Sequence, residues 1–392
     1  MYILGVHDGH DASAALLQDG RIIAAAQEER FSGLKGDYGF PKHAVDYCLQ
    51  EAGITGDALE YVALSSRTSN PVLTYLKRNA NFSVSDWVEE QESYWKPKLL
   101  EHREVSYYDI YRDKPYKKDA YYDYSGLLNS YMQPQDMDEF LDRRLTHIST
   151  YLGIPKERIV VTNHETNHKC YALFASPFRH KPVLILTSEG IGDEFNSTVS
   201  VYENGEIQTL CNMKENHLGH IYQYVTLILG MKPAQHEYKV MGLAPYGEPK
   251  YADLILENLI DLKEDGSFRL NLDYFDYCTG LTMTNKRFDA LFGSPPRSSD
   301  EPVRQKDMDL AASVQAVTEE VVLRMTRALA KETGIDNLCL AGGVALNCVA
   351  NGKVLRDGAF KNIWVQPAAG DAGGALGAAL GDYYWNLGNE RK

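Results

Sequence analysis

The sequence predicts an α/β fold made of two duplicated halves around a cleft, and three observations carry this prediction. A pattern of strand, polar glycine loop, strand, two-residue turn and strand begins at residue 1 and begins again at residue 183. Each copy continues into sequence with helical periodicity, at 41–53 and at 221–229. Two later strands each lead into a glycine-rich turn. Two unrelated antiparallel meanders are the alternative to a duplication.

The first half begins with three predicted strands. Residues 1–6 form an apolar strand that stops at the polar loop His7-Asp8-Gly9-His10-Asp11. Further strands are predicted at 12–17 and 21–27, joined by an Asp19-Gly20 turn, because Asp-Gly accepts the left-handed backbone of a tight hairpin. The first half is therefore a β-hairpin folded behind a polar loop.

The second half repeats this design. A strand at 183–188 leads into the loop Glu189-Gly190-Ile191-Gly192-Asp193. A strand at 197–202, an Asn204-Gly205 turn and a third strand at 206–211 follow. The second half thus has the same order of strands, loop and turn as the first.

A stretch at about 68–146, inside the first half, is rich in tyrosine and dense in both charges. We expect helical insertions here that cover the cleft or form a binding surface. The alternative is a solvated decoration whose aromatic side chains pack on the core. The predicted domains are 1–180, which includes this insertion, and 181–392.

Residues 306–334 carry apolar side chains at helical spacing, which predicts a long core helix that ends at Gly334. A strand at 338–340 then runs into Gly342 and Gly343. Glycines at this point let a ligand approach the backbone in front of the next helix. A tight strand-to-helix turn without any ligand would use the same glycines.

A strand at 363–365 is followed by Asp371 and by a helix of small residues at 375–384. Small residues allow a helix to pack closely against its neighbours. Asp371 therefore stands at the end of a strand, where a carboxylate that faces the cleft could hold a metal.

His164 and His168 follow a buried strand predicted at 159–162, with Asn163 as the helix N-cap. Residues four apart on a helix share one face, about 5–6 Å apart at Cβ, so both imidazoles can reach one metal ion. Two polar residues on a solvated face would show the same spacing.

A zinc protease is a further alternative, because His-Glu-Thr-Asn-His satisfies the H-E-x-x-H pattern. Glu165 would then be the general base and Glu189 a third ligand. Glu189 ends a predicted strand, whereas a protease of this type usually brings its glutamate from a second helix. The pattern is also short enough to arise often by chance.

Composition is typical of a globular protein: 392 residues, 44% hydrophobic and 24% charged, with a net charge of −14. This acidic balance disfavours a polyanionic partner, so we expect no nucleic acid partner. No signal peptide or membrane span is recognisable, and the six cysteines form no C-x-x-C pair. We therefore expect no membrane association and a cytoplasmic location.

The duplicated halves resemble the actin, sugar kinase and Hsp70 superfamily, which has RNase H-like halves around a nucleotide. More specifically, the chain resembles the NodU/CmcH-type O-carbamoyltransferases, which decorate natural products and signalling oligosaccharides. Six stretches carry this resemblance, in order along nearly the whole chain: residues 10–15, 27–32, 164–168, 237–247, 341–351 and 366–374.

In that family, the N-terminal domain resembles the universal tRNA threonylcarbamoyl transferase. A C-terminal YrdC-like domain is thought to form carbamoyl adenylate from ATP and carbamoyl phosphate, and the N-terminal domain then transfers the carbamoyl group to a hydroxyl of an acceptor. The resemblance implies a divalent metal, with Fe²⁺ favoured and Zn²⁺, Mn²⁺ or Mg²⁺ as alternatives. The acceptor is expected to be a small hydroxylated molecule.

The resemblance also implies roles for individual residues. His10 would be the general base and Lys239 would offset negative charge on the phosphate side. The remaining implied roles fall into two sets. The metal ligands would be His164, His168, Glu189 and Asp371. The nucleotide would be held by Gly190, Gly192, Glu237, Gly342, Gly343, Asn347 and Asn351.

Two features depart from the family pattern. Glu189 stands where the family usually has aspartate, and Asp193 is a candidate to replace it. The 392 residues also leave no room for a YrdC-like domain, so this domain would belong to a longer protein or to a separate chain.

Three functions stay open from the sequence. The leading one is an ATP-dependent O-carbamoyltransferase. The others are a non-catalytic adenylate-binding subunit that needs a YrdC-like partner, and an ATP hydrolase or kinase of the actin superfamily. Threonylcarbamoylation of tRNA is disfavoured by the acidic charge. A homodimer is compatible with the sequence.

Overall fold

The structure is a computed structural model. It describes residues 1–76, 81–99, 101–114, 120–128, 134–190, 195–214, 218–271, 290–293 and 297–391. Within these ranges the chain forms two five-stranded sheets and a small hairpin, surrounded by helices.

The described ranges contain twelve strands, of which all but those at 61–65, 260–262 and 268–270 lie close to predicted positions. They are β1 (Tyr2–His7), β2 (Ser13–Gln18), β3 (Arg21–Gln27), β4 (Tyr61–Ser65), β5 (Ile159–Thr162), β6 (Val183–Ser188), β7 (Ser197–Glu203), β8 (Glu206–Met213), β9 (Ile260–Leu262), β10 (Phe268–Leu270), β11 (Asn337–Ala341) and β12 (Asn362–Val365).

The two large sheets have the same topology. The first has the order β3-β2-β1-β4-β5, with antiparallel pairing among β1, β2 and β3 and parallel pairing of β1 with β4 and of β4 with β5. The second has the order β12-β11-β6-β7-β8, with β6, β7 and β8 antiparallel and β6, β11 and β12 parallel. Because β6, β7, β8, β11 and β12 repeat the roles of β1 to β5, the predicted duplicated actin-like α/β fold is confirmed.

The α-helices lie around these sheets. They are α1 (Glu29–Ser32), α2 (Lys42–Ala52), α3 (Pro71–Leu76), α4 (Val84–Glu90), α5 (Lys96–Leu99), α6 (Tyr107–Tyr111), α7 (Pro134–Leu152), α8 (His164–Phe174), α9 (Leu218–Ile228), α10 (Glu237–Leu243), α11 (Ala252–Asn258), α12 (Gln305–Thr333), α13 (Cys348–Asp357) and α14 (Gly374–Gly381). Short 3₁₀ turns include Gly343–Leu346 and Asp371–Gly373.

The insertion between β4 and β5 is helical, as predicted, and contains α3 to α7. Its aromatic side chains are largely inside: Tyr107, Tyr111, Tyr122 and Tyr124 are all buried. The tyrosine content of this segment therefore reflects packing.

The long predicted helix is α12, which spans 29 residues. It ends at Gly334, whose φ of 67° is the left-handed conformation that glycine adopts most easily. None of the helices in the described ranges is both long and apolar enough to cross a membrane.

A shared core joins the two halves. Ile3 and Leu17 of the first sheet pack in one cluster with Ile185 and Cys339 of the second, together with side chains of α8 and α14. Helix α14 comes from the second half but packs on β1 and α8 of the first half. The two halves are therefore interlocked through the helices that also carry the candidate site.

Candidate metal centre and cleft

Helix α8 carries both histidines of the predicted pair, one in its first turn and one in its second. Asn163 precedes the helix in extended backbone, as expected of an N-cap, although its side chain makes no capping hydrogen bond. His164 and His168 are 7% and 1% exposed, and their Nε2 atoms are 2.9 Å apart. The alternative of two residues on a solvated face is therefore wrong.

Two carboxylates reach the same point from distant parts of the chain. Glu189 follows β6, and its Oε2 lies 2.9 Å from Nε2 of His164 and 3.0 Å from Nε2 of His168. Asp371 opens the 3₁₀ turn after β12, and its Oδ1 lies 3.4 and 3.6 Å from the same two nitrogens. One ligand atom from each of the four residues lies within 4.8 Å of all the others.

The charges of this cluster are strongly coupled. Burial disfavours protonated His164, but the charges of Glu189 and Asp371 outweigh burial and hold the pKa of His164 well above its ordinary value. Burial would likewise raise the pKa of both carboxyls, yet the two imidazoles lower the pKa of Glu189 and bring that of Asp371 well below its ordinary range. The two carboxylates thus require positive charge at the centre of the cluster.

An outer hydrogen bond orients His168. Tyr171, one turn further along α8, donates its hydroxyl hydrogen to the carbonyl oxygen of Ala369, so that its oxygen accepts from Nδ1 of His168 at 2.6 Å. The backbone N–H of Gly342 donates to the same oxygen at 3.3 Å. With Nδ1 carrying a proton, the lone pair of Nε2 is the one directed into the cluster, as in a metal-binding histidine.

These residues fit a divalent cation. Ligands about 2.0–2.2 Å from one ion are themselves roughly 3.0–3.6 Å apart, close to the separations measured here. Glu189 Oε1 is buried without a hydrogen-bond partner in the described part of the chain, although Oε2 contacts both histidines. Such an orphaned carboxylate oxygen costs free energy unless a cation or donor satisfies it. Two imidazoles with two carboxylates suit Fe²⁺, Zn²⁺ or Mn²⁺.

The protease alternative does not match this geometry. The would-be general base Glu165 accepts a hydrogen bond from the backbone N–H of Phe195 at 2.8 Å. Glu165 therefore anchors the segment that leads into β7. Glu189 enters the cluster from the end of a strand and not from a second helix.

His10 lies in the β1–β2 loop and its side chain is 25% exposed, 3.6 Å from the carboxylate of Asp11. Across the cleft it faces α10 of the second half. Burial raises the pKa of Glu237, and hydrogen bonds from the backbone of Glu237 and Ala234 oppose that increase, followed by the neighbouring side chains of His10 and Lys35. The structure thus brings two predicted residues, His10 and Glu237, to the same part of the cleft.

A hydrogen-bond chain that the sequence did not suggest links α8 to the His10 loop. Asn167 donates to Ser65 Oγ at 2.9 Å, and Ser65 lies 3.1 Å from Nδ1 of His7. Nε2–H of His7 donates to the carbonyl oxygen of His10 at 2.9 Å. Burial lowers the pKa of His7, which keeps its ring neutral in this chain. His7, Ser65, Asn167 and Tyr171 were not predicted from the sequence. Only the positions of Asn167 and Tyr171, on the same helix as the two histidines, could have suggested these two residues.

On α10, Glu237 accepts from the backbone N–H of Ala234 at 2.7 Å. Lys239 is exposed, and its Nζ lies 3.1 Å from Nε2 of His236. Gln235, just before this helix, donates to the carbonyl oxygen of Lys35 in the first half at 2.9 Å. This segment is therefore where the two halves touch at the rim of the cleft.

The two glycines of the turn after β11 have different surroundings, and packing alone accounts for one of them. A Cβ on Gly342 would lie 2.3 Å from the carbonyl oxygen of Ser188, and its φ is 88°, so glycine is required for packing against β6. Gly343 is open, with no atom within 4 Å of its Cβ position in the described residues. It lies beside Gly370, directly before Asp371, so the turn does border the metal cluster.

Asn347 and Asn351 make contacts within the protein. Asn347 caps α13 by accepting from the N–H of Ala350 at 3.0 Å, and its amide pairs reciprocally with that of Gln315. Asn351 donates to the carbonyl oxygen of Ala345 at 2.7 Å.

In the β6–β7 loop, a Cβ added to Gly190 would lie 3.4 Å from the ring of His220. Gly192 and the candidate ligand Asp193 lie outside the described residues.

Comparison with known proteins agrees with the sequence pattern. A family model described as "Carbamoyltransferase N-terminus" matches residues 2–380. An uncharacterized protein of Synechocystis is 41% identical over 393 aligned residues, which cover all of this chain and 58% of that protein. The nodulation protein NolNO of Sinorhizobium fredii is 32% identical over 95% of this chain and 46% of its own length. The chain thus spans about half the length of these relatives.

A solved structure is similar over nearly the same extent. Component A of the (R)-2-hydroxyglutaryl-CoA dehydratase of Acidaminococcus fermentans is 16% identical, with 98% of each chain covered and a TM-score of 0.43.

Proposed function

The chain belongs to the carbamoyltransferase family, and from this premise we propose that it transfers a carbamoyl group to the hydroxyl of a small-molecule acceptor. The proposed donor is carbamoyl adenylate, made from ATP and carbamoyl phosphate. The observation that supports the proposal best is the four-residue cluster on α8, directly after β6 and in the turn after β12, which combines ligands from both halves. A metal-assisted transfer needs a ligand set of this kind close to a base.

His164, His168, Glu189 and Asp371 would hold the metal. A divalent ion supplies Lewis acidity that polarises a carbamoyl or phosphoryl oxygen. Tyr171 fixes the ring of His168 so that Nε2 faces inwards. The hydrogen-bond chain through His7 connects α8 to the His10 loop. It would therefore hold the metal ligands and the proposed base at fixed positions relative to each other.

His10 would be the general base. The acceptor hydroxyl oxygen attacks the carbamoyl carbon, His10 takes the hydroxyl proton, and the bond from that carbon to the phosphate oxygen breaks, so that AMP leaves. A loop histidine that is partly exposed can reach both solvent and acceptor. The partly open position of His10 supports this role better than the buried position of His7.

The nucleotide would lie between the glycine turns and α10. Gly343 and Gly190 would leave room for the phosphates, and Lys239 would contribute positive charge on that side. Gly192 would complete the loop. Glu237 would line the cleft, and Gly342, Asn347 and Asn351 would shape the turn that borders it, because their own contacts are within the protein.

The donor would come from a YrdC-like domain or protein, with the helical insertion as the acceptor-binding surface. Activity that appears only after a YrdC-like protein is added would identify the chain as the transferase part of a two-component system. Release of ADP or pyrophosphate from ATP without carbamoyl phosphate would instead indicate an actin-superfamily kinase or hydrolase.

Metal content and ATP binding test the centre of the proposal. We expect near-stoichiometric metal in the purified chain, and loss of metal together with weaker ATP binding by calorimetry in a His164→Ala/His168→Ala variant. His180→Ala, which changes an exposed histidine, is the matched control and should keep both. Unchanged ATP binding and no metal in any of the three proteins would remove the metal–nucleotide cleft from the proposal.

A further inference from the structure

Arg144 is a buried arginine that joins the insertion to the β1–β2 loop. It lies on α7 and is only 1% exposed. Its Nε and Nη2 donate to the two carboxylate oxygens of Asp8, at 2.8 and 2.7 Å. Asp8 belongs to the loop at residues 7–11. A bidentate pair of this kind fixes both distance and orientation.

Further contacts fix the same carboxylate and guanidinium. Tyr122, also in the insertion, donates its hydroxyl to Oδ2 of Asp8 at 2.5 Å. Arg144 Nη2 and Nη1 donate to the carbonyl oxygens of Ser66 at 3.0 Å and of Arg67 at 3.3 Å. Burial works against a charged Asp8, but Arg144 overcomes it and lowers the pKa of Asp8 below its ordinary value. The pair therefore stays charged while it is buried.

The loop itself is held in one conformation. Asp11 has φ 56°, in the left-handed region that few non-glycine residues adopt and that aspartate adopts more readily than most. The carbonyl oxygen of Asp8 accepts from the N–H of Gly39 at 3.1 Å. His10 follows Asp8 by two residues, so its place in the cleft depends on where Asp8 is anchored.

We propose that Arg144 is a positioning residue, which holds the 7–11 loop and with it the His10 imidazole at a fixed place against the insertion. The insertion and the loop then move as one unit, and an acceptor bound on the insertion meets His10 at a set distance. The functional part of this inference rests on the proposed role of His10. The positional part does not.

Arg144→Lys is the main test variant. Lysine keeps the positive charge but lacks the planar fork, so it cannot donate to both oxygens of Asp8 and to two carbonyls at once. Arg143→Lys is the matched control, because the neighbouring Arg143 donates to the carbonyls of Asp123 and Ser125 and not to the loop. Tyr122→Phe, which removes one hydrogen bond to Asp8, serves if Arg144→Lys does not fold.

Amide hydrogen exchange of the full chain measures loop position directly. We expect exchange in the 7–11 peptide to be at least about tenfold faster in Arg144→Lys than in the wild type, with no change in Arg143→Lys and with metal content retained in both. Unchanged exchange in Arg144→Lys and Tyr122→Phe would overturn the proposal. An equal increase in Arg143→Lys would also overturn it, because the effect would then be general loosening of α7.

A double-mutant cycle tests whether Arg144 acts through His10. The probe is release of AMP from synthetic carbamoyl adenylate, with water as acceptor. We expect Arg144→Lys to lower this rate about tenfold or more in the wild type and to have no further effect in His10→Ala. The same loss in both backgrounds would overturn the link to His10. No effect of His10→Ala alone would reject the proposed base role, while hydrogen exchange would still decide the positional part.

Discussion

At the scale of single residues, the site depends on side chains that would not themselves bind the metal but that orient the residues that would. Tyr171 is the clearest case: it is fully buried, and its hydroxyl bridges His168 to the backbone around Ala369 and Gly342. Burial raises the pKa of Tyr171 well above its ordinary value, so its hydroxyl keeps its proton. The tautomer of His168 is therefore set by a neutral phenol.

Tyr171→Phe should weaken metal binding by about 10–100-fold, the range typical of lost outer hydrogen bonds to a metal histidine. The reason is that Nδ1 of His168 loses its acceptor and the ring is free to turn. Competition titration of the metal-loaded chain with a chelator measures the affinity. Unchanged metal affinity in a folded variant would mean that Tyr171 serves packing alone.

Asp8→Asn should destabilise the protein at neutral pH by about 3–5 kcal/mol, because it leaves Arg144 buried without its counter-charge. The folded-state pKa of Asp8 lies below its ordinary value of 3.8. Its charge therefore stabilises the fold above about pH 4, and that contribution is lost as the pH falls through the lowered pKa.

Urea unfolding of wild type and variant at several pH values measures this difference, which should shrink toward acid pH. Asp142→Asn, an exposed carboxylate on α7, is the control and should follow the wild-type curve. A stability difference between Asp8→Asn and wild type that stays constant down to pH 3 would contradict the assignment.

At the scale of elements, α14 is the piece that brings Asp371 to the histidines. It consists of glycine, alanine and leucine, all of them buried, and it packs on α8 and β1. A Cβ on Gly377 would lie 2.1 Å from the carbonyl oxygen of Asn167, and a Cβ on Gly374 would lie 2.9 Å from Ser65 Oγ. Small residues in α14 are therefore required by the close approach of β4 and of α8, which carries two of the candidate ligands.

Gly377→Ala should lower the free energy of unfolding by about 1–3 kcal/mol or more, because the added methyl group collides with the backbone of α8. Gly242→Ala on α10 is the matched control. No atom of the described residues lies within 4 Å of its Cβ position, so alanine should be neutral or stabilise by up to about 1 kcal/mol.

Urea or thermal denaturation distinguishes the two variants, and metal content should fall in Gly377→Ala before global unfolding if α14 shifts. Equal stability of Gly377→Ala and Gly242→Ala would show that α8 and α14 are more loosely packed than the structure indicates.

At the scale of the whole molecule, the two halves share structure that neither could complete alone. The shared cluster contains Ile3 and Leu17 of the first half and Ile185 and Cys339 of the second, so each half covers apolar side chains of the other. Helix α8 of the first half packs on β6 of the second, and α14 of the second packs on β1 of the first. The cleft is therefore bounded by two sheets that depend on each other for burial.

We expect fragments 1–180 and 181–392 to be unfolded when produced separately and to form a folded complex when produced together. Each fragment alone would expose apolar surface of the shared cluster to water, at roughly 25 cal/mol per Å². Circular dichroism with cooperative thermal unfolding is the measurement. A cooperative transition in either fragment alone would show that the halves are independent domains.

The sequence by itself determined nine of the twelve described strands, the long helix α12 and the duplication, because strand alternation, Asp-Gly and Asn-Gly turns and an apolar helical period are local properties. It also placed His164 and His168 one turn apart, since helix geometry fixes that spacing. The family resemblance added Glu189 and Asp371 as expected ligands, but only the tertiary structure brought these carboxylates to the two histidines. Glu189 is 25 residues from His164 in sequence and Asp8 is 136 from Arg144, distances over which no local rule applies.

The same distinction explains where the interpretation of single residues changed. The sequence predicted a turn at Gly342. Glycine is needed there because a Cβ would collide with the carbonyl oxygen of Ser188, which belongs to another strand. Tyr171 and His7 carry no recognisable motif, because a tyrosine or histidine becomes an orienting group only through the atoms it meets. Helix spacing and turn type depend on residues that are neighbours in sequence. Burial, counter-charge and close approach arise only when distant segments pack together.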